Sequence, residues 1–382
     1  MYNKESLSEL LEKEDGTEKM INDCLEFIKK ADEVVIFGAG VGGDALYNLL
    51  KKRHLEEKIV YFSDNNILKH GTFLGKKEVV APEKLIDICD KVSIVIASSA
   101  YNEIKQQLLN YGYTEEKIAL FNFAFSDLDY TDKQFIFDNL DDFEWIFHKL
   151  SDKKSERIFL DLLNYKISKN NEYLEDMAEV TDCESEQYFD KEIIKLSQDE
   201  CFVDVGSYTG DTLKQYVQIV NEEFASYIGF EADEGTFQIL KTYSDSLKSD
   251  KVHIYNLGAW NKRTRLTTES NNSSYGSFSF MECTDEEGIE ADALDNVIGT
   301  ENVTFIKMDI EGAEYFALEG LVQTIKRCLP KLAICVYHKR DDYFKIPQLI
   351  EKIAEGKYDY YFRQYRYTPT ETVCYAIPKS KI

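Results

Sequence analysis

Residues 201–212 read Cys201-Phe202-Val203-Asp204-Val205-Gly206-Ser207-Tyr208-Thr209-Gly210-Asp211-Thr212. Five mostly apolar residues lead into a glycine-marked turn. Gly210 then opens a stretch with Leu213, Tyr216, Val217 and Val220 at helical spacing. Strand, glycine turn and helix form the entry unit of a doubly wound α/β sheet. An earlier stretch, EVVIFGAGVGG at 33–43, has the same outline. The two differ in one telling position: the earlier turn has Gly38 where the later one has Asp204.

The α/β pattern runs twice along the chain. In the first run VVIF, KIVYF (58–62), KVSIVIASS (91–99) and KIALFNF (117–123) alternate with helical stretches, after an amphipathic leading helix over 5–30. Residues 127–196 lack this alternation. They are rich in acids, aromatics and leucine, which predicts a helical connector packed between two sheets, with a polar end (TDCESEQYFDKEI) of uncertain helicity. In the second run the candidate strands are CFVDV, SYIGFEA (226–232), KVHIYN (251–256), VTFIKMDI (303–310) and KLAICVYH (331–338). YDYYFRQYRY and ETVCYAIP follow in direct succession and predict an antiparallel hairpin at a sheet edge. Residues 262–291 read as an irregular insertion. The expected architecture is therefore two Rossmann-like doubly wound sheets joined by helices. The boundaries are 1–126 for the N-terminal unit, 127–196 for the connector and 197–382 for the C-terminal unit.

Gly38, Gly40 and Gly43 spell GxGxxG between a strand and a helix, the context in which a dinucleotide pyrophosphate is held. Asp64 ends the next strand, 26 residues past Gly38, where an acid can bind ribose hydroxyls. The turn is thus a candidate nucleotide or nucleotide-sugar site; the bland alternative is glycine kept for packing. A reading as an NAD-dependent oxidoreductase needs a hydride-transfer acid. The strand ending Ala97-Ser98-Ser99 places no His, Lys or Tyr for it.

The later turn suits a different ligand. S-adenosylmethionine has no pyrophosphate; it has a sulfonium, an ammonium and a ribose. Asp204 at a strand end matches the ammonium, Gly206 lets backbone approach, and Tyr208, Gly210, Asp211 and Thr212 continue the turn into the helix. Glu231, 25 residues past Gly206 and followed by Ala232, can take the ribose hydroxyls. Asn256 and His338 end further predicted strands, and ligands of such sheets bind at the carboxyl ends. Lys307, Asp309 and Glu311 alternate, so they share one face of a strand end, an unusual load for a buried sheet. His338 is the best-placed neutral base for a hydroxyl acceptor, Asp309 the other candidate. Asp309, Glu311 and His338, with Glu314 nearby, are also a candidate oxygen/nitrogen set for a divalent cation, though the spacing is no established metal signature. NNSSYGSFSF (271–280) offers hydroxyls, amides and rings to a sugar, through Asn272, Ser273, Tyr275 and Ser277. Trp260 reads as a pocket wall or as core.

FVDVGSYTGDT, IGFEADEGTF (228–237), YNLGAWN (255–261), EADALDNV (290–297), IKMDIEGAEYFALEG (306–320) and ICVYHKRDDYFKIPQLI (334–350) together resemble the FkbM-type methyltransferases. The resemblance covers about the last half of the chain, and IKMDIEGAE is its most specific part. It implies a class I methyltransferase fold, S-adenosylmethionine as donor, and O-methylation of a hydroxyl, commonly on a sugar or glycan-like substrate in polysaccharide assembly. On this reading Lys307, Asp309 and His338 are catalytic. Asp204, Gly206, Tyr208, Gly210, Asp211, Thr212, Glu231, Ala232, Asn256, Gly258 and Asp309 bind the donor. Trp260, Ser273, Tyr275, Ser277, Glu311 and Glu314 face the acceptor. SDNN (63–66), GKKEVVAP (75–82) and VIASS (95–99) make the N-terminal unit resemble the small Rossmann-like domain that precedes the catalytic part in some sugar-modifying enzymes, such as sialic-acid-type sugar O-acetyltransferases. That unit would bind a nucleotide or serve docking and homodimerisation. A scaffold with two degenerate nucleotide folds is the non-catalytic alternative.

Composition narrows the partners. Seventy acidic residues against 45 basic ones give a formal charge of −25. Such a chain repels phosphate backbones and anionic membranes, so nucleic acid is an unpromising partner. The eight cysteines form no CxxC pair and several sit in apolar runs, which points to buried free thiols in a reducing cytoplasm. The N-terminal segment lacks an apolar signal core, and no run approaches the roughly 20 apolar residues of a membrane span.

Overall fold

The structure is a computed structural model and describes residues 6–98, 100–121, 132–174, 177, 187–269, 279–284, 288–365 and 370–379. Its first sheet holds β1 (Glu33–Phe37), β2 (Ile59–Ser63), β3 (Phe73–Leu74), β4 (Lys77–Val80), β5 (Val92–Ile96) and β6 (Ile118–Leu120), in the order β3-β4-β2-β1-β5-β6. All pairs are parallel except β3 with β4. Successive side chains of β1 serve two cores, as strand geometry requires. Val34 and Ile36 pack with Ile21, Leu25, Leu46 and Leu50 of helices Thr17–Lys30 and Val41–Lys52. Val35 and Phe37 pack with Ile104 and Leu108 of helix Tyr101–Asn110 on the other face. The β3–β4 pair was not foreseen: Gly75, at φ +61, turns GKKEVV back on itself.

The leading helix differs from its expectation. It is two helices, Leu7–Leu10 and Thr17–Lys30, broken at Gly16. A Cβ on Gly16 would lie 1.7 Å from the carbonyl oxygen of Ser168, so the chain crosses the connector there. Leu7 and Leu11 accordingly join the core of the connector rather than that of the first sheet.

Three helices form the described connector: Asp132–Asp138, Leu140–Lys149 and Lys153–Ser168. They lie on the C-terminal sheet. Phe143 meets Phe344 edge-on at 5.1 Å, and Phe159 meets Phe362 at 5.2 Å. Asp152 caps the third helix by accepting from the Ser155 N–H at 2.7 Å, and its carboxylate also pairs with the buried Arg363 at 2.7 Å. Residues 187–196 form no regular element.

The C-terminal sheet comprises β7 (Cys201–Val205), β8 (Ser226–Glu231), β9 (Val252–Asn256), then, after a small separate sheet, β14 (Phe305–Met308), β15 (Lys331–Cys335), β16 (Tyr358–Gln364) and β17 (Thr372–Pro378). Its order is β16-β17-β15-β14-β7-β8-β9. Only β17 runs antiparallel to its neighbours, inserted between β15 and β16. The predicted terminal hairpin is present at this edge. The expected irregular insertion is instead a four-stranded sheet, β10 (Gly258–Trp260), β13 (Ile289–Ala293), β11 (Thr264–Glu269) and β12 (Ser279–Cys283), in the order β10-β13-β11-β12. Thr264, Leu266 and Ile289 alternate with polar neighbours, the period of a half-buried strand, and Leu266 packs on Trp260 and Ala291. Ser273, Tyr275 and Ser277, with Asn272, lie outside the described residues. Among the described residues no helix is long and apolar enough to cross a membrane.

Candidate active site

The carboxyl ends of β7, β8, β9, β14 and β15 form one rim, and most of the residues singled out by sequence lie along it. Their orientations divide them into two groups. Asp204 has no exposed surface. Lys307, one strand over in register, places its Nζ 3.2 Å from Asp204 Oδ1 and donates to the Gly206 carbonyl at 2.6 Å. Tyr227 donates its hydroxyl to Asp204 Oδ2 at 2.6 Å. Burial opposes the charge on both groups. Asp204 and then Asp309 nonetheless hold the Lys307 ammonium above its ordinary pKa, while burial raises the Asp204 carboxyl against the pull of Lys307. Contrary to a ligand-facing placement, Asp204 is turned into the fold, and Lys307 is engaged by Asp204 and the Gly206 carbonyl. Together they brace the turn from below.

That turn is strained into shape. Gly206 has φ +83, and a Cβ there would lie 1.9 Å from the Asp309 carbonyl oxygen. This close approach ties the β7 turn to the end of β14. Tyr208 is exposed at φ +46, and its N–H donates to Glu231 Oε2 at 2.9 Å. Glu231 Oε1 accepts from the Asp233 N–H at 2.8 Å. Burial raises the Glu231 carboxyl above its usual range, against these N–H donors. Asn256 is exposed beside it and donates to the Glu231 and Ala232 carbonyls. Gly206, Tyr208, Glu231, Ala232 and Asn256 thus line the rim, with exposed Asp211 beginning helix Asp211–Ile219 behind them. Gly210, Thr212 and Gly258 are buried; a Cβ on Gly258 would touch Ala291 at 3.3 Å. They sit in the packing behind the rim rather than on its surface. Trp260 is likewise core: it is buried, stacks on Phe316 at 4.2 Å and donates to Glu282 at 3.3 Å.

The ends of β14 and β15 carry the most unusual chemistry. His338 is almost fully buried, with Nδ1 at 2.9 Å from Glu314 Oε1 and Nε2 at 3.4 Å from Asp309 Oδ1 and 3.5 Å from Glu311 Oε2. Burial disfavours the imidazolium, but Glu314, Asp309 and Glu311 outweigh it and raise the His338 pKa to about 9. With only protein around it, His338 is protonated at neutral pH, so the expectation of a neutral base is corrected by its three acidic neighbours. Glu314 is fully buried and accepts from the Ile310 N–H at 2.8 Å; it cannot face an acceptor. Glu311 is partly exposed, at φ +56, before Gly312 at φ +90. Asp309 retains exposed surface and accepts from the Tyr188 hydroxyl at 2.8 Å. Burial, then Cys335 and Asp309, push the Tyr188 pKa far up, so this hydroxyl remains a donor.

Tyr188 is a residue contacting the rim that sequence reading missed. It comes from the irregular 187–196 stretch, at φ +69, and carries no local motif. Tyr227 had a signal: Tyr227, Gly229 and Glu231 alternate on β8, so a polar-tipped ring shares a face with the rim acid.

In the N-terminal unit the glycines split. A Cβ on Gly38 would lie 2.5 Å from the Ala97 oxygen, and one on Gly43 2.0 Å from the Gly38 oxygen, so both are packing glycines. Gly40 meets only the Lys69 Nζ, at 3.8 Å. Asp64 does not stand free for a ribose. It accepts from the N–H groups of Ala39 and Asn66, both at 2.9 Å, and from Lys69 Nζ at 2.8 Å. Burial works against its charge, but these donors hold its carboxyl below the usual range.

Residues 204–363 match the family model of the methyltransferase FkbM domain, and residues 30–119 match that of the C2185-like, N-terminal family. Among solved structures, the methyltransferase FkbM of Methylobacillus flagellatus KT is 21% identical, with a TM-score of 0.67 over 94% of this chain and 97% of that one. Fibrillarin of Aeropyrum pernix, solved with S-adenosyl-L-methionine, is 13% identical, with a TM-score of 0.32 over 50% of this chain and 73% of that one. UDP-D-quinovosamine 4-dehydrogenase of Vibrio fischeri is 22% identical, with a TM-score of 0.20 over 26% of this chain and 81% of that one. No curated protein matches the chain. The expected FkbM resemblance is borne out: residues 204–363 match the methyltransferase FkbM domain, on a class I methyltransferase fold.

Proposed function

We propose that this methyltransferase domain uses S-adenosylmethionine to methylate a hydroxyl of a sugar or glycan-like acceptor, in polysaccharide assembly. The observation that carries the reading is the acid-rich rim at the carboxyl ends of five strands, where such a sheet binds its ligands. Each Glu231 oxygen accepts one N–H and keeps a further lone pair, enough for the two ribose hydroxyls. The exposed Tyr208 ring and Asn256 flank the same groove. Asp309, Glu311 and Glu314 supply negative potential toward a sulfonium.

The reaction is an in-line displacement. The acceptor oxygen forms a bond to the methyl carbon as the carbon–sulfur bond breaks. S-adenosylhomocysteine leaves and the hydroxyl proton goes to Asp309, which Tyr188 and His338 hold in place. Calorimetry with S-adenosylmethionine, followed by assay of S-adenosylhomocysteine formation against sugars and nucleotide sugars, tests this. Failure to bind the donor, or binding without turnover on any hydroxyl acceptor, refutes it.

A second reading concerns the N-terminal unit. Of Gly38, Gly40 and Gly43, Gly40 has the loosest surroundings at the start of helix Val41–Lys52, with the Lys69 ammonium, itself paired with Asp64, facing it, which favours a phosphate-bearing ligand there. NAD and nucleotide sugars are the probes. Saturable binding of NAD together with no binding of S-adenosylmethionine would reverse the order of the two readings.

A further inference from the structure

Three carboxylates converge on one buried imidazole. We propose that the ends of β14 and β15 form a divalent-cation site. His338 Nε2, Asp309 and Glu311 are its ligands, and Glu314 is the carboxylate that sets the histidine ring.

The distances fit this assignment. Neighbouring ligands around an octahedral ion at about 2.1 Å stand about 3.0 Å apart. Nε2 lies 3.4 Å from Asp309 Oδ1 and 3.5 Å from Glu311 Oε2, so each of these pairs is near the separation of neighbouring ligands. The His338 side chain is only 7% exposed, and its Nε2 has no partner in hydrogen-bond geometry although carboxylate oxygens lie 3.4 and 3.5 Å away. A buried nitrogen aimed at two carboxylates, without a directed hydrogen bond, is placed for a metal.

The supporting groups are those a metal centre needs. Ligating histidines hand their second nitrogen to a carboxylate, and ligating carboxylates are themselves held. Nδ1 stands 2.9 Å from Glu314 Oε1, and that oxygen is fixed by the Ile310 N–H. Asp309 is held through its other oxygen by Tyr188 at 2.8 Å. Glu311 sits at a left-handed φ of +56, an arrangement that costs about 1–3 kcal/mol and is tolerated where a side chain must be aimed. One carboxylate oxygen each from Asp309 and Glu314 and a His338 nitrogen also lie within 4.8 Å of one another. We place Glu314 outside the ligand set because its near oxygen addresses Nδ1, leaving Nε2 for the ion. Two carboxylates and one imidazole suit Mn²⁺ or Mg²⁺. The imidazole proton leaves to solvent as the ion binds.

The binding claim stands on this geometry alone; its role rests on the methyltransferase reading. In that role an acceptor hydroxyl in an open coordination position becomes more acidic beside the methyl donor.

Mn²⁺ titration of the EDTA-treated full chain, followed by loss of the free-ion electron paramagnetic resonance signal, tests the site. The expected result is one Mn²⁺ per chain, lost in His338→Ala and Asp309→Asn, and weakened roughly 10- to 100-fold in Glu314→Gln. Near-ultraviolet circular dichroism on each variant confirms folding. An unattenuated Mn²⁺ signal with folded wild type overturns the site, as does wild-type affinity in folded His338→Ala. Mn²⁺ binding without donor binding keeps the site and removes the methyltransferase reading. Donor turnover that EDTA leaves unchanged, with no Mn²⁺ bound, does the reverse.

Discussion

Replacing Lys307 by Met removes the cation paired with the fully buried Asp204 carboxylate. At 3.2 Å, two unit charges interact by about 5 kcal/mol at an effective dielectric of 20. Part of this offsets desolvation, and breaking a buried pair from one side costs about 3–5 kcal/mol. The lost donor to the Gly206 carbonyl adds about 1 kcal/mol. Lys307→Met is therefore expected to destabilise the C-terminal unit by roughly 4–6 kcal/mol. Asp204→Asn alone leaves a buried ammonium and costs a similar amount. The double variant retains neither charge and should cost at least about 2 kcal/mol less than the sum. Urea unfolding followed by tryptophan fluorescence is the assay. Both tryptophans, Trp145 and Trp260, lie outside the N-terminal unit, so the signal reports the part in question. Additive single costs, or a Lys307→Met cost below about 1 kcal/mol, would show that the two groups are not a coupled ion pair.

Three other predictions follow from the same rim. Gly206→Ala puts a Cβ against the Asp309 carbonyl at a φ of +83, and should lower stability by at least about 2 kcal/mol while abolishing calorimetric binding of S-adenosylhomocysteine. Glu231→Gln exchanges one acceptor oxygen for a donor amide facing an N–H, and should weaken that binding about 10- to 100-fold with the fold intact by circular dichroism. Asp342 is buried beside Glu314, and these two causes raise its carboxyl to about 7. The folded state therefore holds a proton that the unfolded state has lost between about pH 4 and 7, so Asp342 contributes less stability as pH rises through that window. Asp342→Asn should be more stable than wild type at pH 8 in EDTA and lose this advantage by pH 4. Urea unfolding at both values checks it.

Both sheets were legible because their strands are short apolar runs bounded by glycine or acid, as at Val34–Phe37 and Cys201–Val205. The positions of the rim were legible too, since Glu231, Asn256, Asp309 and His338 each end a run. Which way a side chain faces at a strand end was not. Asp204 and Lys307 alternate with apolar residues just as a ligand-facing pair would, and only the register of β7 with β14 shows that they neutralise each other. Tyr188 was invisible for another reason: its place depends on a distant hydroxyl, since its N–H donates to Tyr375 at 3.1 Å. The small sheet around Trp260 escaped because its strands are polar on one face and flank a stretch without periodicity.

The position of β17 has a consequence for how this protein is made. β17 lies between β15 and β16, and Tyr375 on it anchors Tyr188, which in turn holds Asp309. The strand that follows β16 in the chain is thus an interior strand. Until residues 372–378 emerge from the ribosome, β15 presents an unpaired apolar edge, the kind that pairs with other chains. A nascent chain stopped at Gln364 would expose that edge and lack the anchor of its own active site. Termination before β17 would therefore leave this rim unassembled and the β15 edge open to aggregation.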